Sequence, residues 1–61
     1  PIICSVRPGD FTDTGHFIVI TKVKDNNFIV NDPNSRENSQ RQWSYERLSW
    51  QIKAMWSYSL L

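Results

Sequence analysis

The sequence predicts an α+β domain in which a small antiparallel β-sheet is accompanied by one short helix. Three observations support this fold class. Apolar residues alternate with other residues in several short segments, turn-forming residues separate these segments, and one later segment has apolar residues at helical spacing. The chain has 61 residues, begins at Pro1 and has Met55 as its only methionine. We therefore expect residues 1–61 to form a single partial domain that belongs to a larger one.

The first half of the chain predicts three strands. Residues 1–6 alternate and are rich in β-branched side chains, and a turn-forming, polar loop follows them as far as Gly15. The best strand candidate is 17–23, which is apolar on both faces and is therefore expected to be central in the sheet or covered on both sides. Residues 24–27 form the tip of a hairpin, and 28–31 form the return strand.

The middle of the chain predicts the end of one strand and the start of a helix. Pro33 ends the return strand because it has no amide hydrogen to give to a sheet. Residues 34–42 are polar throughout and predict a surface connection. Ser44 is a suitable N-cap for a helix, and Trp43 and Leu48 have the spacing of a hydrophobic staple around it.

The last third predicts one helix and a final strand. The apolar residues after Ser44 repeat at helical spacing and predict an amphipathic helix of about three turns. These residues are Tyr45, Leu48, Ile52 and Met55. From Met55 onward the pattern alternates as in a strand, with Trp56, Tyr58 and Leu60 on one side. Trp50 falls outside the apolar stripe of the helix, so we expect it to contact another segment or another chain.

Composition argues against several classes of function. The net charge is +1 with both signs interspersed, so no electrostatic argument favours nucleic acid, although the three tryptophans could stack on bases or sugars. No apolar run approaches the roughly 18–20 residues of a membrane span. The single cysteine, Cys4, excludes an intrachain disulfide. Asp10 and Asp13 near His16 are a poor metal signature, and no cofactor is expected.

The residues that suggest chemistry are His16, at the start of the central strand, and Asp32, just after the next one. A carboxylate bonded to one ring nitrogen fixes the tautomer of an imidazole and stabilises its charged form. A two-residue turn at 25–26 with plain pairing would put Asp32 opposite Val19, on the wrong face for His16. The pair therefore requires an odd offset, from a three-residue turn at 24–26 or from a β-bulge. On residue types alone, a strand-edge histidine and an ordinary turn explain the pattern more simply.

The same residues carry a resemblance to a known family. Segment 14–20, where Gly-His opens an apolar strand, and segment 28–35, where an apolar strand ends in Asn-Asp-Pro, resemble the C-terminal half of papain-like cysteine peptidases. The most similar branch is that of the bacteriocin-processing peptidases, which act at double-glycine leaders. The downstream spacing of Trp43, Leu48 and Trp56 also resembles that branch. The resemblance extends over nearly the whole chain.

The resemblance implies a cysteine peptidase or amidase that acts on a peptide or amide. It makes His16 the general base and Asp32 its orienting partner in a Cys-His-Asp triad. In this family the thiol nucleophile and an oxyanion-hole glutamine lie upstream, in a segment that nothing here matches. Cys4 precedes His16 in the right order, but it lies in an apolar strand, so core packing explains it better. We therefore expect that the N-terminal half of the domain is missing and that the chain alone is inactive.

Two other expectations concern partners and function. Loss of the N-terminal half should expose apolar surface and open sheet edges, which predicts self-association. The alternative function is a non-catalytic module with a degenerate peptidase fold that binds a peptide or a cell-wall component. A small nucleic-acid binder is a third and less favoured interpretation. The resemblance is compatible with a secreted or cell-wall-associated location in a bacterium.

Overall fold

A computed structural model describes residues 1–57 of the chain as a five-stranded antiparallel sheet with two short helices. The strands are β1 (Ile2–Val6), β2 (His16–Lys24), β3 (Asn27–Asn31), β4 (Gln42–Ser44) and β5 (Ile52–Ser57), and the helices are α1 (Arg36–Gln40) and α2 (Tyr45–Ser49). Their order across the sheet is β4-β3-β2-β1-β5. The predicted α+β class and the central position of β2 are confirmed. Tyr58 and Leu60, assigned above to the final strand, lie outside the described residues.

The segment 34–42 differs from its prediction as a plain surface connection. It contains α1 and the start of β4, which pairs with β3 through Trp43 and Phe28. Ser35 caps α1, since its side chain accepts a hydrogen bond from the amide of Asn38. No residue of α1 is buried. All five residues of α1 are polar, so no apolar periodicity indicates this helix in the sequence.

The second helix is also shorter than predicted. Ser44 is its N-cap, as expected, and accepts a hydrogen bond from the amide of Arg47. However, α2 ends at Ser49 and buries only Leu48, whereas Ile52 and Met55 belong to β5. In β5 these residues pair with β1, so the prediction of a three-turn helix was wrong. Residues 52–57 form a strand because β1 provides backbone hydrogen bonds along its edge, whereas a longer helix would gain little from the single side chain that α2 buries.

The β2–β3 hairpin combines a tight turn with a β-bulge. Asp25 and Asn26 form a two-residue turn and have positive φ angles of 52° and 66°, the left-handed pattern of a type I′ turn. Of the two sources of an odd offset considered above, the three-residue turn is therefore ruled out. The register then shifts between Ile20 and Lys22, which leaves Thr21 as the extra residue of a bulge. The odd offset is present, and the bulge supplies it.

The core covers one face of the sheet. Its residues are Cys4, Val6, Phe11, Ile18, Ile20, Val30, Trp43 and Leu48. Phe11 comes from the loop before β2 and packs on Trp43 with 4.6 Å between ring centroids. On the opposite face Phe17 and Trp56 remain exposed, with centroids 6.3 Å apart. Self-association through such exposed surface stays a prediction.

Neither helix of residues 1–57 is longer than five residues. No helix in this part of the chain has the length and apolar character needed to cross a membrane.

Candidate active site

The structure brings His16 and Asp32 together. His16 is the first residue of β2, and Asp32 directly follows β3. The imidazole Nε2 lies 2.9 Å from the carboxylate Oδ1. The Asp32 side chain is fully buried, whereas 15% of the His16 side chain is exposed. The pair thus has a dry carboxylate behind an imidazole that a reacting group can still approach.

The β-bulge in β2 puts the two side chains on the same face of the sheet. It pairs Val19 with Asn31, so Asp32 comes opposite Ile18. His16 lies two residues along the same strand and therefore on the same face, at a diagonal separation that side chains can bridge. Without the extra residue Thr21, Asp32 would face Val19 and point away from the imidazole.

Hydrogen bonds stabilise the negative charge of Asp32. Its Oδ1 also accepts from the backbone amide of Asn34 at 2.9 Å, and its Oδ2 accepts from Nδ2 of Asn38 at 3.2 Å. Burial by itself raises the pKa of this carboxyl, but the bonds from Asn34, His16 and Asn38 outweigh burial and leave the pKa below its ordinary value. The group is therefore an ionised acceptor at neutral pH.

The backbone of Asp32 is fixed by α1 and its cap. The amide of Asp32 donates to Oγ of Ser39 at 2.8 Å, and its carbonyl accepts from the amide of Ser35 at 3.1 Å. Asn38 and Ser39, which both bond to Asp32, were not predicted from the sequence as residues that support the site. The available signal was Ser35, a good N-cap type three residues before Asn38, within a segment that otherwise looks like a polar loop.

The contact with Asp32 also determines the chemistry of the imidazole. Because an ionised carboxylate only accepts hydrogen bonds, Nε2 of His16 must carry the proton in the contact. The other nitrogen, Nδ1, then has a lone pair in the neutral ring. Among residues 1–57, the hydrogen-bond partner of the ring is Asp32. The arrangement leaves Nδ1 as the atom that can take a proton from an approaching group.

Cys4 is not placed to react with this imidazole. It is fully buried in β1, opposite Ile18, and its Sγ lies 4.0 Å from the carbonyl oxygen of Ile2. Burial raises the pKa of the Cys4 thiol. A protonated and enclosed thiol is a weak nucleophile. The structure therefore places Cys4 in the core, in agreement with its interpretation from sequence.

A second hydrogen-bond network surrounds Asp10, in the loop between β1 and β2. Arg47 donates from Nε and Nη2 to the two carboxylate oxygens of Asp10, each at 2.7 Å. The buried Gln51 donates to Oδ2 of Asp10 and accepts from its amide, both at 2.7 Å. The bond from Arg47 is the main reason that the pKa of Asp10 is lowered. Within residues 1–57, no three His, Cys, Asp or Glu side chains are grouped to hold a metal ion.

An apolar cavity of about 340 Å³ lies between the sheet and α2. Its lining includes Ile2, Ile20, Phe28, Leu48, Ile52 and Met55. Neither His16 nor Asp32 belongs to this lining, so the cavity is separate from the pair. Trp50, singled out above for contact with another surface, is half exposed.

Comparisons with known proteins bear on this geometry in one respect. The model of the Peptidase_C39 like family matches residues 1–59 and thus includes both His16 and Asp32. Neither the curated proteins nor the solved structures gave a significant match.

Proposed function

Since this chain belongs to the Peptidase_C39 like family and is therefore a peptidase-related domain, we propose that it supplies the histidine and aspartate of a Cys-His-Asp triad in a papain-like cysteine peptidase or amidase. The observation that carries this proposal is the 2.9 Å contact between Nε2 of His16 and Oδ1 of Asp32. The match to a family model supports the class of reaction, and the contact supports the roles of the two residues.

In the proposed reaction His16 is the general base. Its Nδ1 removes the proton of a cysteine thiol, and Asp32 stabilises the imidazolium that results. The thiolate adds to the carbonyl carbon of a peptide or amide, and the imidazolium then gives its proton to the departing amine. A water molecule, deprotonated by the same nitrogen, attacks the thioester and releases the acid. The thiol recovers its proton, so His16 and Asp32 end in their starting states.

We propose that the nucleophile comes from outside these 61 residues. Cys4 is the only cysteine of the sequence, and burial both encloses its thiol and raises its pKa. A strand in the core also provides no helix N-terminus to stabilise a thiolate. The 61-residue chain by itself is therefore expected to be inactive in peptide hydrolysis.

The buried state of Cys4 also supports the second candidate, a non-catalytic module that binds a peptide or a cell-wall component with a degenerate peptidase fold. In that case His16 and Asp32 would persist as a structural pair and no reactive thiol would adjoin them. The presence or absence of such a thiol separates the two candidates.

The test is to express this chain with the residues encoded upstream of it and to treat the product with a peptide vinyl sulfone. We expect covalent labelling of an upstream cysteine, with Cys4 unlabelled, as mapped by mass spectrometry of proteolytic fragments. His16→Ala should abolish labelling. Thr14→Ala, at an exposed position of the loop that precedes β2, should leave labelling unchanged.

Circular dichroism would establish that both variants are folded. Unchanged labelling in a folded His16→Ala variant would contradict the proposed role of the imidazole. Absence of labelling in the unmodified protein would favour the binding module.

A further inference from the structure

Asn38 connects the candidate site to the loop that leads into it. Its side-chain Nδ2 carries two hydrogens and has two acceptors, Oδ2 of Asp32 at 3.2 Å and the backbone carbonyl of Asp10 at 3.3 Å. Asp10 lies in the loop between β1 and β2, the loop that ends at His16. One amide group therefore joins the carboxylate of the pair to the segment that carries the imidazole.

Asn38 is itself held in place by its backbone. Its amide donates to Oγ of Ser35 at 3.0 Å, and its carbonyl accepts from Nε1 of Trp43 at 3.0 Å. Trp43 is a core residue with 1% of its surface exposed. The position of the side-chain amide is thus set by a helix cap on one side and by the core on the other.

The two carboxylate oxygens of Asp32 accept hydrogen bonds from different partners. Oδ1 accepts from both His16 and the amide of Asn34, whereas the hydrogen bond of Oδ2 comes from Asn38. Rotation about the Cβ–Cγ bond would exchange the two oxygens or turn their lone pairs away from the ring. A donor on Oδ2 opposes this rotation and costs little, because that oxygen is buried and otherwise requires a partner.

We propose that Asn38 is a positioning residue for the His16–Asp32 pair, whose side-chain amide fixes the carboxylate so that Oδ1 receives the Nε2 proton and Nδ1 stays free to accept one. The inference takes its chemical meaning from the proposed function and adds a residue to it. A role in packing alone, through the bond to the Asp10 carbonyl, would stabilise the loop without any effect on the imidazole.

Ring-nitrogen NMR of the 61-residue chain separates these two roles. With ¹⁵N-labelled histidine at a pH where the ring is neutral, we expect the wild-type shifts to be those of the Nε2–H tautomer. In Asn38→Ala the two nitrogen shifts should move toward each other, because both tautomers become populated. The titration of the Asp32 carboxyl carbon should also move to higher pH, since a bond to its charged form is lost.

Asn34→Ala is the matched control. Asn34 is exposed, and its contact with Asp32 uses the backbone amide, which the substitution preserves. This variant should retain the wild-type shifts. A folded Asn38→Ala variant with a lower melting temperature but unchanged ring-nitrogen shifts would overturn the proposal and leave Asn38 with a packing role.

Two further measurements cover the case in which Asn38→Ala does not fold. Asn38→Asp has nearly the same shape but turns an oxygen toward Oδ2, so it should shift the ring nitrogens and the Asp32 titration in the same directions. In the wild-type chain, the Nδ2 protons of Asn38 should follow the titration of Asp32. Amide resonances that stay constant through that titration would overturn the proposal without the use of any variant.

These outcomes are distinct from those of the labelling experiment. Loss of the tautomer preference with labelling independent of His16 would support positioning and reject the peptidase chemistry. The reverse result, with labelling dependent on His16 and shifts independent of Asn38, would retain the proposed function and remove Asn38 from it.

Discussion

Asp32 and Asp10 are each the centre of a hydrogen-bond network, and the two networks differ in what their partners can do. Asp10 is held by Arg47, a guanidinium that stays charged at any ordinary pH, and by Gln51. Asp32 accepts hydrogen bonds from Asn34 and Asn38 and a further one from His16. Histidine is a side chain type that gains and loses protons readily. The first network can only fix a loop, whereas the second can support proton transfer.

Exposure separates the two networks further. The side chain of Asp32 is fully buried, whereas 22% of the Asp10 side chain and 57% of the Arg47 side chain are exposed. The exposed ion pair is open to water and salt, which weaken it, whereas the interior pair acts at a lower local dielectric. A carboxylate with a lowered pKa is therefore not by itself a sign of a reactive site. The partner of the carboxylate determines whether it can take part in proton transfer.

The largest expected difference between the two networks is in catalysis. In the chain expressed with its upstream residues, Asp32→Ala should lower kcat/KM for a fluorogenic peptide by about 10²- to 10⁴-fold, since the imidazole loses the group that selects its Nε2–H tautomer and stabilises its charged form. Asp10→Ala should leave kcat/KM within about threefold, because the Asp10 side chain does not contact the ring, and a tenfold change would require a loss of about 1.4 kcal/mol of transition-state stabilisation.

Steady-state kinetics of the two variants, with folding checked by circular dichroism, provide the comparison. A loss of similar size in both variants would mean that the Asp10 network also determines the geometry of the site. Full activity of Asp32→Ala would remove Asp32 from the triad.

The contact at the centre of this comparison was largely predictable from sequence. Gly-His before one apolar strand and Asn-Asp-Pro after the next indicated the two residues, and strand parity required an odd offset between them. The device that provides the offset was not predictable. Thr21 is a good strand residue and nothing near it signals a bulge, while Asp25 and Asn26 tolerate the left-handed conformation of a type I′ turn as well as that of a longer loop.

The residues around the pair were harder to predict because they follow no hydrophobic pattern. The helix α1 buries no side chain, so the asparagine and serine that hold Asp32 appear in the sequence as part of a polar linker. Ile52 and Met55 are three residues apart, which is a helical spacing, and they lie opposite Val6 and Cys4 on one face of the sheet only because the register shifts between Ser5 and Val6. Patterns of apolar residues thus located the sheet, whereas tertiary hydrogen bonds determined the short elements.

The second prediction concerns the stability that the Asp10 network provides. Gln51 is fully buried and bonds with the amide and carboxylate of Asp10 and with the carbonyl of Arg47. Gln51→Ala should lower the free energy of unfolding by about 3 kcal/mol, because it leaves buried polar groups unpaired. Gln40→Ala, at an exposed position, should change it by less than about 0.5 kcal/mol.

Urea unfolding followed by tryptophan fluorescence measures both changes. Equal effects of the two substitutions would mean that water replaces Gln51 without cost, and the Asp10 network would then have no structural role. The His16 ring-nitrogen shifts should be unchanged in Gln51→Ala, provided that the two networks are separable.

A third, smaller effect tests how tightly the same network is packed. A Cβ on Gly9 would meet Oε1 of Gln51 and lie 3.0 Å from the ring of Trp50. Gly9→Ala should therefore lower the free energy of unfolding by about 1–2 kcal/mol through overpacking. Gly15→Ala is the matched control, because no atom lies within 4 Å of its added methyl group and its φ is not positive. It should be neutral or slightly stabilising in the same urea experiment. A neutral Gly9→Ala would show that Gln51 yields easily.

The smallest expected effect is on stability at acid pH. The contributions of the two carboxylates to this stability should differ in their dependence on salt. Both pKa values are lowered in the folded state, so each group stabilises the fold above the unfolded carboxyl pKa of about 4, and that stability is lost as pH falls through the folded value. Asp10→Asn and Asp32→Asn should each flatten the acid limb of a stability curve measured by urea unfolding between pH 2 and 7. At about 1 M salt the effect of Asp10→Asn should shrink, because its exposed partner Arg47 is screened, while that of Asp32→Asn should persist in the interior. An acid limb with the same salt dependence in both variants would contradict the division into an exposed ion pair and a buried site.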